Sequence, residues 1–292
     1  MSLPQTFIVS FRVFIVLLAA VAVIIFTAAR SSNPPSHYIS TKEFMFSAPE
    51  SVFQVGEELT YNVSYASFDI GQVRIALVDK TTRDGITYYR ATAHIDSYKG
   101  VPFVNLHAIY EDSIPQQIYS SWFRSRHKND PEWDYFTYTY AYPKKRMYIK
   151  QGRWGSMKVE KRDSLQLDTL YQDGLSLFYF ARVNVLTKQK INIPTVVNEK
   201  KGTTLIDFTV QREHDEIDAV KYPIDLVHFK GEAGFVGIFG LTGAFEGWFS
   251  NDAARVPIIA KMKVLIGNIR LELMKWKRAN WNPPKYVEEK SR

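Results

Sequence analysis

Apolar and polar residues alternate at period two along most of the chain after Gly56, the spacing that sends one face of a strand inward and the other outward. The pattern is cleanest near the C-terminus. Ile258, Ala260, Met262 and Val264 oppose Lys261 and Lys263, and then Ile269, Leu271 and Leu273 oppose Arg270 and Glu272. Gly267-Asn268 between these runs tolerates positive φ, and Ser250-Asn251-Asp252 upstream can bond its own backbone in an Asx turn. The stretch therefore predicts a half-buried antiparallel hairpin preceded by the short strand FEGWFS, and its apolar face needs cover from the rest of the chain.

The earlier strands obey the same rule. Leu59, Tyr61, Val63 and Tyr65 alternate, Ser67 to Gly71 reads as a turn, Val73, Ile75 and Leu77 alternate again, and Arg83-Asp84-Gly85 closes a hairpin into ITYYRATAHI. Further strand-like runs are NLHAIYEDSI, QQIYSSWFRSRH, DYFTYTYAY, RMYIKQG and SMKVEKR, with turns expected at His127 to Pro131, Tyr142-Pro143 and Gln151-Gly152. In DYFTYTYAY both alternation sets carry aromatics, which predicts cover on both faces or a crossing by another element. KINIPTVV, TTLIDFTVQRE and IDLVHFK complete the set before the final hairpin.

One segment breaks the strand rhythm. Residues 172–186, QDGLSLFYFARVNVL, have Asp173 as an N-cap and apolar residues nearly all round, which predicts a buried helix. Such a helix fits inside a concave sheet, over the apolar stripe left by the C-terminal hairpin. The expected fold is mainly β: one large, strongly curved antiparallel sheet, a half-barrel or barrel-like meander, wrapped around one buried helix, with a hydrophobic helix at the N-terminus. The expected divisions are 1–30 signal peptide or membrane anchor, 31–47 linker, 48–277 curved β domain and 278–292 flexible tail.

The N-terminal division rests on Val13 to Ala29, an uncharged apolar run after Arg12 that suits either a cleaved secretory signal or an uncleaved anchor. The linker SSNPPSH detaches it from the β domain, and either reading puts the folded part across a membrane, with residues 13–29 as the membrane contact if uncleaved. Composition narrows the chemistry. With no Cys, the chain has no disulfide, thiolate metal site, Cys nucleophile or lipidated Cys anchor. The net charge of +7 suits an anionic partner without choosing lipid, glycan or nucleic acid.

Candidate chemistry is sparse. The six His residues lack the i, i+3 or i+4 spacing of a metal site on a helix, and HDE at His214 to Glu216 lies in the polar run QREHDEID, read as a solvated turn. His107 shares a strand face with Glu111 rather than Asp112. There is no GxSxG, Walker loop, HExxH or dinucleotide fingerprint, so no catalytic residue, metal ligand or cofactor is assigned. Lys144, Lys145, Arg146, Lys150 and Arg153 head the basic stretch KKRMYIKQGRWGSMKVEKR, a patch for anionic head groups; nucleic acid is not expected as a partner for an exported chain. Arg182, a charge in an apolar helix, needs a carboxylate such as Asp252 or Glu57.

GEELTYNVSYASFDIG at 56–71, DGLSLFYFAR at 173–182 and GWFSNDAARVPIIAKMKVLIGNIRLEL at 247–273 together resemble the family of exported bacterial proteins catalogued as domain of unknown function (DUF) 3108, over about residues 48–276. The resemblance rests on the opening Gly-Glu, on Asp173, Ser176, Tyr179 and Arg182 in the helix, and on Trp248, Asp252, Pro257 and Gly267 in the hairpin. It implies no catalytic residue. The suspected architecture is similar to the lipoprotein-carrier fold of periplasmic lipid handlers.

GEAGFVGIFGLTG has glycine at every third position from Gly231 to Gly243, a period that suits neither strand nor helix and predicts a loop. Its apolar residues either pack on the core or form a lid over a ligand groove. The expected function is therefore a non-catalytic protein of the bacterial cell envelope, on its periplasmic side, holding a membrane lipid or other amphiphile against the concave sheet. The expected contacts are Phe235, Ile238, Phe239, Leu241, Phe178 and Trp248. An enzyme acting on envelope polysaccharide and a structural or interaction protein stand as the alternatives.

Overall fold

The computed structural model describes residues 49–101, 105–129, 131–234, 241–264 and 267–288. The expected N-terminal hydrophobic helix, with its membrane contact at 13–29, lies outside them. Among the described residues no helix is long and apolar enough to cross a membrane.

Among the described residues fourteen strands form one antiparallel sheet. They are β1 (Glu58–Tyr65), β2 (Phe68–Arg83), β3 (Ile86–Ser97), β4 (His107–Pro115), β5 (Trp122–Asn129), β6 (Glu132–Ala141), β7 (Arg146–Arg153), β8 (Lys158–Gln166), β9 (Lys190–Val197), β10 (Lys200–Asp215), β11 (Ile224–Ala233), β12 (Leu241–Ser250), β13 (Pro257–Val264) and β14 (Asn268–Lys277). The order across the sheet runs from β8 back to β1, then from β14 back to β9, so two meanders are sewn together where β1 pairs with β14. That seam explains why the C-terminal hairpin carries so regular a pattern: it lies mid-sheet. The sheet is open, since β8 and β9 are not paired with each other.

The helix α1 (Gly174–Asn184) enters between the meanders in sequence and packs on β3, β4 and β9. Asp173 caps it, accepting from the Leu175 and Ser176 amides, while Ser176 Oγ accepts from the Asp173 amide. The strap before the helix ties the two halves at this end. Tyr171 O accepts from the Ser120 amide, the Gln172 amide donates to Pro194 O on β9, and the Val196 amide donates back to Gln172 O. Across the open edges Lys161 of β8 lies 3.9 Å from Glu199, in the β9–β10 turn.

Several local expectations differ from the structure. The first turn is Ala66-Ser67, both at positive φ, rather than Ser67 to Gly71. Gly71 lies inside β2, where an added Cβ would stand 2.6 Å from Asp96 O of β3. Gln151-Gly152 is not a turn either: β7 runs through it to Arg153, and Gly152 sits at a bulge so close to Lys158 O that a side chain would not fit. In QQIYSSWFRSRH only the part from Trp122 is strand, because Ile118 takes positive φ and Ser120 turns inward to bond Asp173. His214 and Asp215 belong to β10 rather than to a turn, and His214 stacks on Tyr286. In the glycine-rich stretch Gly231 lies in β11 and Gly243 in β12, where Ala233 pairs with Gly243, so these strands extend into the expected loop.

Within the expected flexible tail, residues 278–288 are tied to the rest of the chain. Arg278 reaches Glu57, the Trp281 indole N–H donates to Asp252 at 2.7 Å, and Pro284 O accepts from the Asp225 amide while the Tyr286 amide donates to Pro223 O. Its two prolines set an extended course along the β10–β11 end, where polar and aromatic partners hold it. In β6 the doubled aromatic pattern has the expected consequence. Tyr138 and Tyr140 are buried on one face, while Tyr135 on the other is covered by Trp154, 6.1 Å away, itself flanked by Arg124 and Arg126.

Candidate functional site

The inward faces of both meanders meet α1 around a cavity of about 250 Å³. Val73 and Ile95 line it from the first meander, Ile206, Phe229 and Phe249 from the second, and Leu177, Phe178 and Ala181 from the helix. Strands far apart in the sheet order thus share one chamber, which requires the sheet to curl around the helix. Two glycines let aromatic rings of the chamber wall lie flat against the sheet. Gly231 and Gly247 face inward, where an added Cβ would stand 2.3 Å from the Phe245 ring and 2.4 Å from the Phe229 ring. Chambers with such walls stay dry and accept apolar molecules.

A second cavity of about 240 Å³ adjoins the first at the start of α1, with Tyr110, Phe123, Gly174 and Val197 lining both. Ser125, His127, Tyr138 and Asn198 give this annex a polar character. Burial holds the His127 pKa below the usual imidazole value, against the opposing pull of Asp134. A third cleft of about 480 Å³, bordered by Lys230, Lys261 and Lys263 together with Glu232 and Glu246, also reaches Phe245 and Met262.

Behind the annex lies a buried polar knot. Ser120 Oγ donates to Asp173 at 2.6 Å and lies 2.8 Å from Ser176 Oγ. Asp112 on β4 is fully buried beside it, facing Asp173 and the Ser113 and Ser176 backbone at geometries too poor for full hydrogen bonds. Burial, reinforced by the Asp173 carboxyl, pushes the Asp112 pKa well above the usual carboxyl range. Burial raises Asp173 as well, but its hydrogen bonds from Ser120, Ser176 and Leu175 oppose the rise. Sequence reasoning passed over Asp112, although alternation puts it on the face of Ala108, Tyr110 and Ile114, and an acid on an apolar face is a visible signal.

At the other side of the helix, Arg182 is fully buried and forms a two-pronged pair with Glu57, at 2.6 Å and 3.1 Å. Its remaining donors reach Arg255 O and Ala254 O. Burial alone would raise the Glu57 carboxyl, but Arg182 and then Arg278 outweigh it and hold its pKa below the ordinary value. Asp252 is not the partner of Arg182. It caps the β12–β13 connection, accepting from the Ala254 and Arg255 amides and from Ser250, which is the work its place in the Asx turn implies.

Of the expected ligand contacts, Phe178 lines the chamber. Trp248 faces the other side of the sheet, where its indole donates to Glu213 at 2.7 Å and its ring packs with His228 and Lys261. The reason is alternation in β12: Phe245, Gly247 and Phe249 take the inward positions, which leaves Trp248 outward. Leu241 begins β12. Phe235, Ile238 and Phe239, and with them the expected lid, lie outside the described residues. In the basic patch Lys144, Lys145, Arg146 and Lys150 are exposed, none of them lining the chamber or the annex. Arg153 is held by Asp134 at 2.6 Å, with Glu132 and Glu160 beside it. His107 pairs across β3 with Asp96 at 2.8 Å, while Glu111 pairs with Arg124.

No curated protein matches the chain. Among solved structures it is similar to the crystal structure of a beta-barrel-like protein of the domain of unknown function DUF1849 from Brucella abortus, at 9% identity and a TM-score of 0.48, over 78% of this chain and 99% of that one. The model of the family described as Protein of unknown function (DUF3108) matches residues 60–274, from β1 through β14, and the chain belongs to that family.

Proposed function

We propose that this protein is a non-catalytic receptacle of the bacterial cell envelope, in which the sheet forms a half-barrel that holds a lipid or other amphiphile against α1. The observation that carries this reading is the chamber between sheet and helix. Its walls are apolar, its volume of about 250 Å³ approaches the lower end of the ~300–1,000 Å³ usual for small-molecule sites, and the adjoining annex extends it. Residues 13–29 supply the export signal or membrane tether. Lys144, Lys145, Arg146 and Lys150 then bring the folded part to an anionic membrane surface, at about 1 kcal/mol per cation near the surface.

Uptake of the neutral apolar fluorophore N-phenyl-1-naphthylamine tests the receptacle. The expected result is saturable fluorescence enhancement, abolished in Ala260→Phe, which fills the chamber from β13 while circular dichroism stays unchanged. Absence of uptake by the native protein, or full uptake by the filled variant, contradicts the reading.

A further inference from the structure

The annex and the chamber differ in chemistry, and that difference selects a class of ligand. Ser125, His127, Tyr138 and Asn198 line the annex with hydroxyls, an imidazole and an amide, which both donate and accept hydrogen bonds and carry no formal charge when the imidazole is neutral. The low His127 pKa keeps it neutral at physiological pH. The one carboxylate at the annex wall, Asp173, is committed to Ser120 and to the Leu175 and Ser176 amides. That same cap occupies the start of α1, where a free helix end would otherwise attract an anion. No cation lines the annex among the described residues, and the further carboxylate beside Tyr138, that of Glu199, faces Lys161 of β8 at 3.9 Å. The exposed Lys144, Lys145, Arg146 and Lys150 do not line it either.

An ionised head group placed here would lose its hydration without gaining a counter-charge, at a cost of several kcal/mol. A neutral head group that both donates and accepts loses far less and finds partners. We infer that the annex is a head-group subsite for an uncharged, hydroxyl- or amide-bearing single-chain amphiphile, such as a monoacylglycerol, with its alkyl chain laid in the chamber along Phe178 and Ala181. This deepens the receptacle reading and rests on it. The lysine-bordered cleft that also reaches Phe245 and Met262 is the competing seat, and it would favour an anionic head instead.

Displacement of bound N-phenyl-1-naphthylamine by matched C12 amphiphiles decides between them. 1-Monododecanoylglycerol is expected to displace the probe at concentrations about tenfold below dodecyl phosphate or dodecyltrimethylammonium. Ser125→Val/His127→Phe is expected to weaken monododecanoylglycerol about tenfold, the effect of roughly two neutral hydrogen bonds, while probe affinity stays within about twofold. Tyr138→Phe, which removes only a hydroxyl, is expected to weaken it about threefold and guards against a misfolded double variant. Stronger displacement by dodecyl phosphate, lost in Lys230→Gln/Lys261→Gln, would overturn the subsite and move the head group to the cleft. Equal displacement by all three amphiphiles, or annex variants without effect, would overturn it while leaving the receptacle standing; a native protein that binds no probe would overturn both.

Discussion

Arg182 and Asp112 show two ways of burying an ionisable group, and the carboxyls involved, Glu57 and Asp112, make opposite demands on pH. Arg182 is satisfied on every side, by Glu57, by two backbone carbonyls and by the rings of Phe178 and Tyr179. Arg182→Ala leaves Glu57 buried with Arg278 as its remaining partner, so the expected loss is about 3 kcal/mol in chemical denaturation. An unchanged midpoint would show that the pair contributes nothing. Glu57 has a folded pKa below 4.5, so its contribution is present above that value and is lost as pH falls through the folded pKa. Asp112 has the reverse sign. Its folded pKa lies well above 3.8, so the folded state holds the extra proton, and stability declines as pH rises from about 3.8 through the folded value. Asp112→Asn keeps the shape and removes the group that must lose a proton beside Asp173 as pH rises. It is expected to stabilise the protein by on the order of 1 kcal/mol at pH 8 and to have little effect at pH 4. Urea titrations at the two pH values check this, and equal destabilisation at both would exclude a buried neutral acid at this position.

At the scale of elements, regular alternation was legible and irregular geometry was not. The helix announced itself through Asp173 and its unbroken apolar surface, and the strands through period two. What stayed hidden depends on partners distant in sequence. Gly71 and Gly152 look like turn residues, yet each is required where a neighbouring strand passes too close for a Cβ. The first hairpin instead turns on Ala66-Ser67, which carry no glycine signal. Trp248 was expected as a ligand contact, yet at period two it shares its face with Glu246 and Ser250, while Phe245 and Phe249 take the inward positions. The tail read as loose because its anchors, Glu57, Asp225 and Asp252, lie in other parts of the chain. Gly231 tests this packing. In Gly231→Ala the new methyl meets both the Phe245 ring and Leu205 O, and since the latter is backbone the clash is not relieved by a side-chain rotation. The expected cost is about 1–3 kcal/mol, read as a lowered melting temperature, and a neutral effect would mean that β10 and β12 give way more easily than such close packing allows.

For the molecule as a whole, the open sheet has an apolar chamber where a closed core would have none. Both meanders and α1 contribute walls to that chamber, so its existence depends on the entire order of strands rather than on one motif. The sequence announced a concave apolar surface covered by a helix, but the annex was invisible in it, because Ser125, His127, Tyr138 and Asn198 come from β5, β6 and the β9–β10 turn and meet only through the curl. The most direct test is mass spectrometry of an organic extract of the purified, natively folded protein. The expected result is one class of single-chain amphiphile in near-stoichiometric amount, reduced in Ala260→Phe prepared in parallel. Extracts repeatedly free of any such molecule, from protein that also fails to take up added amphiphile, would contradict the receptacle.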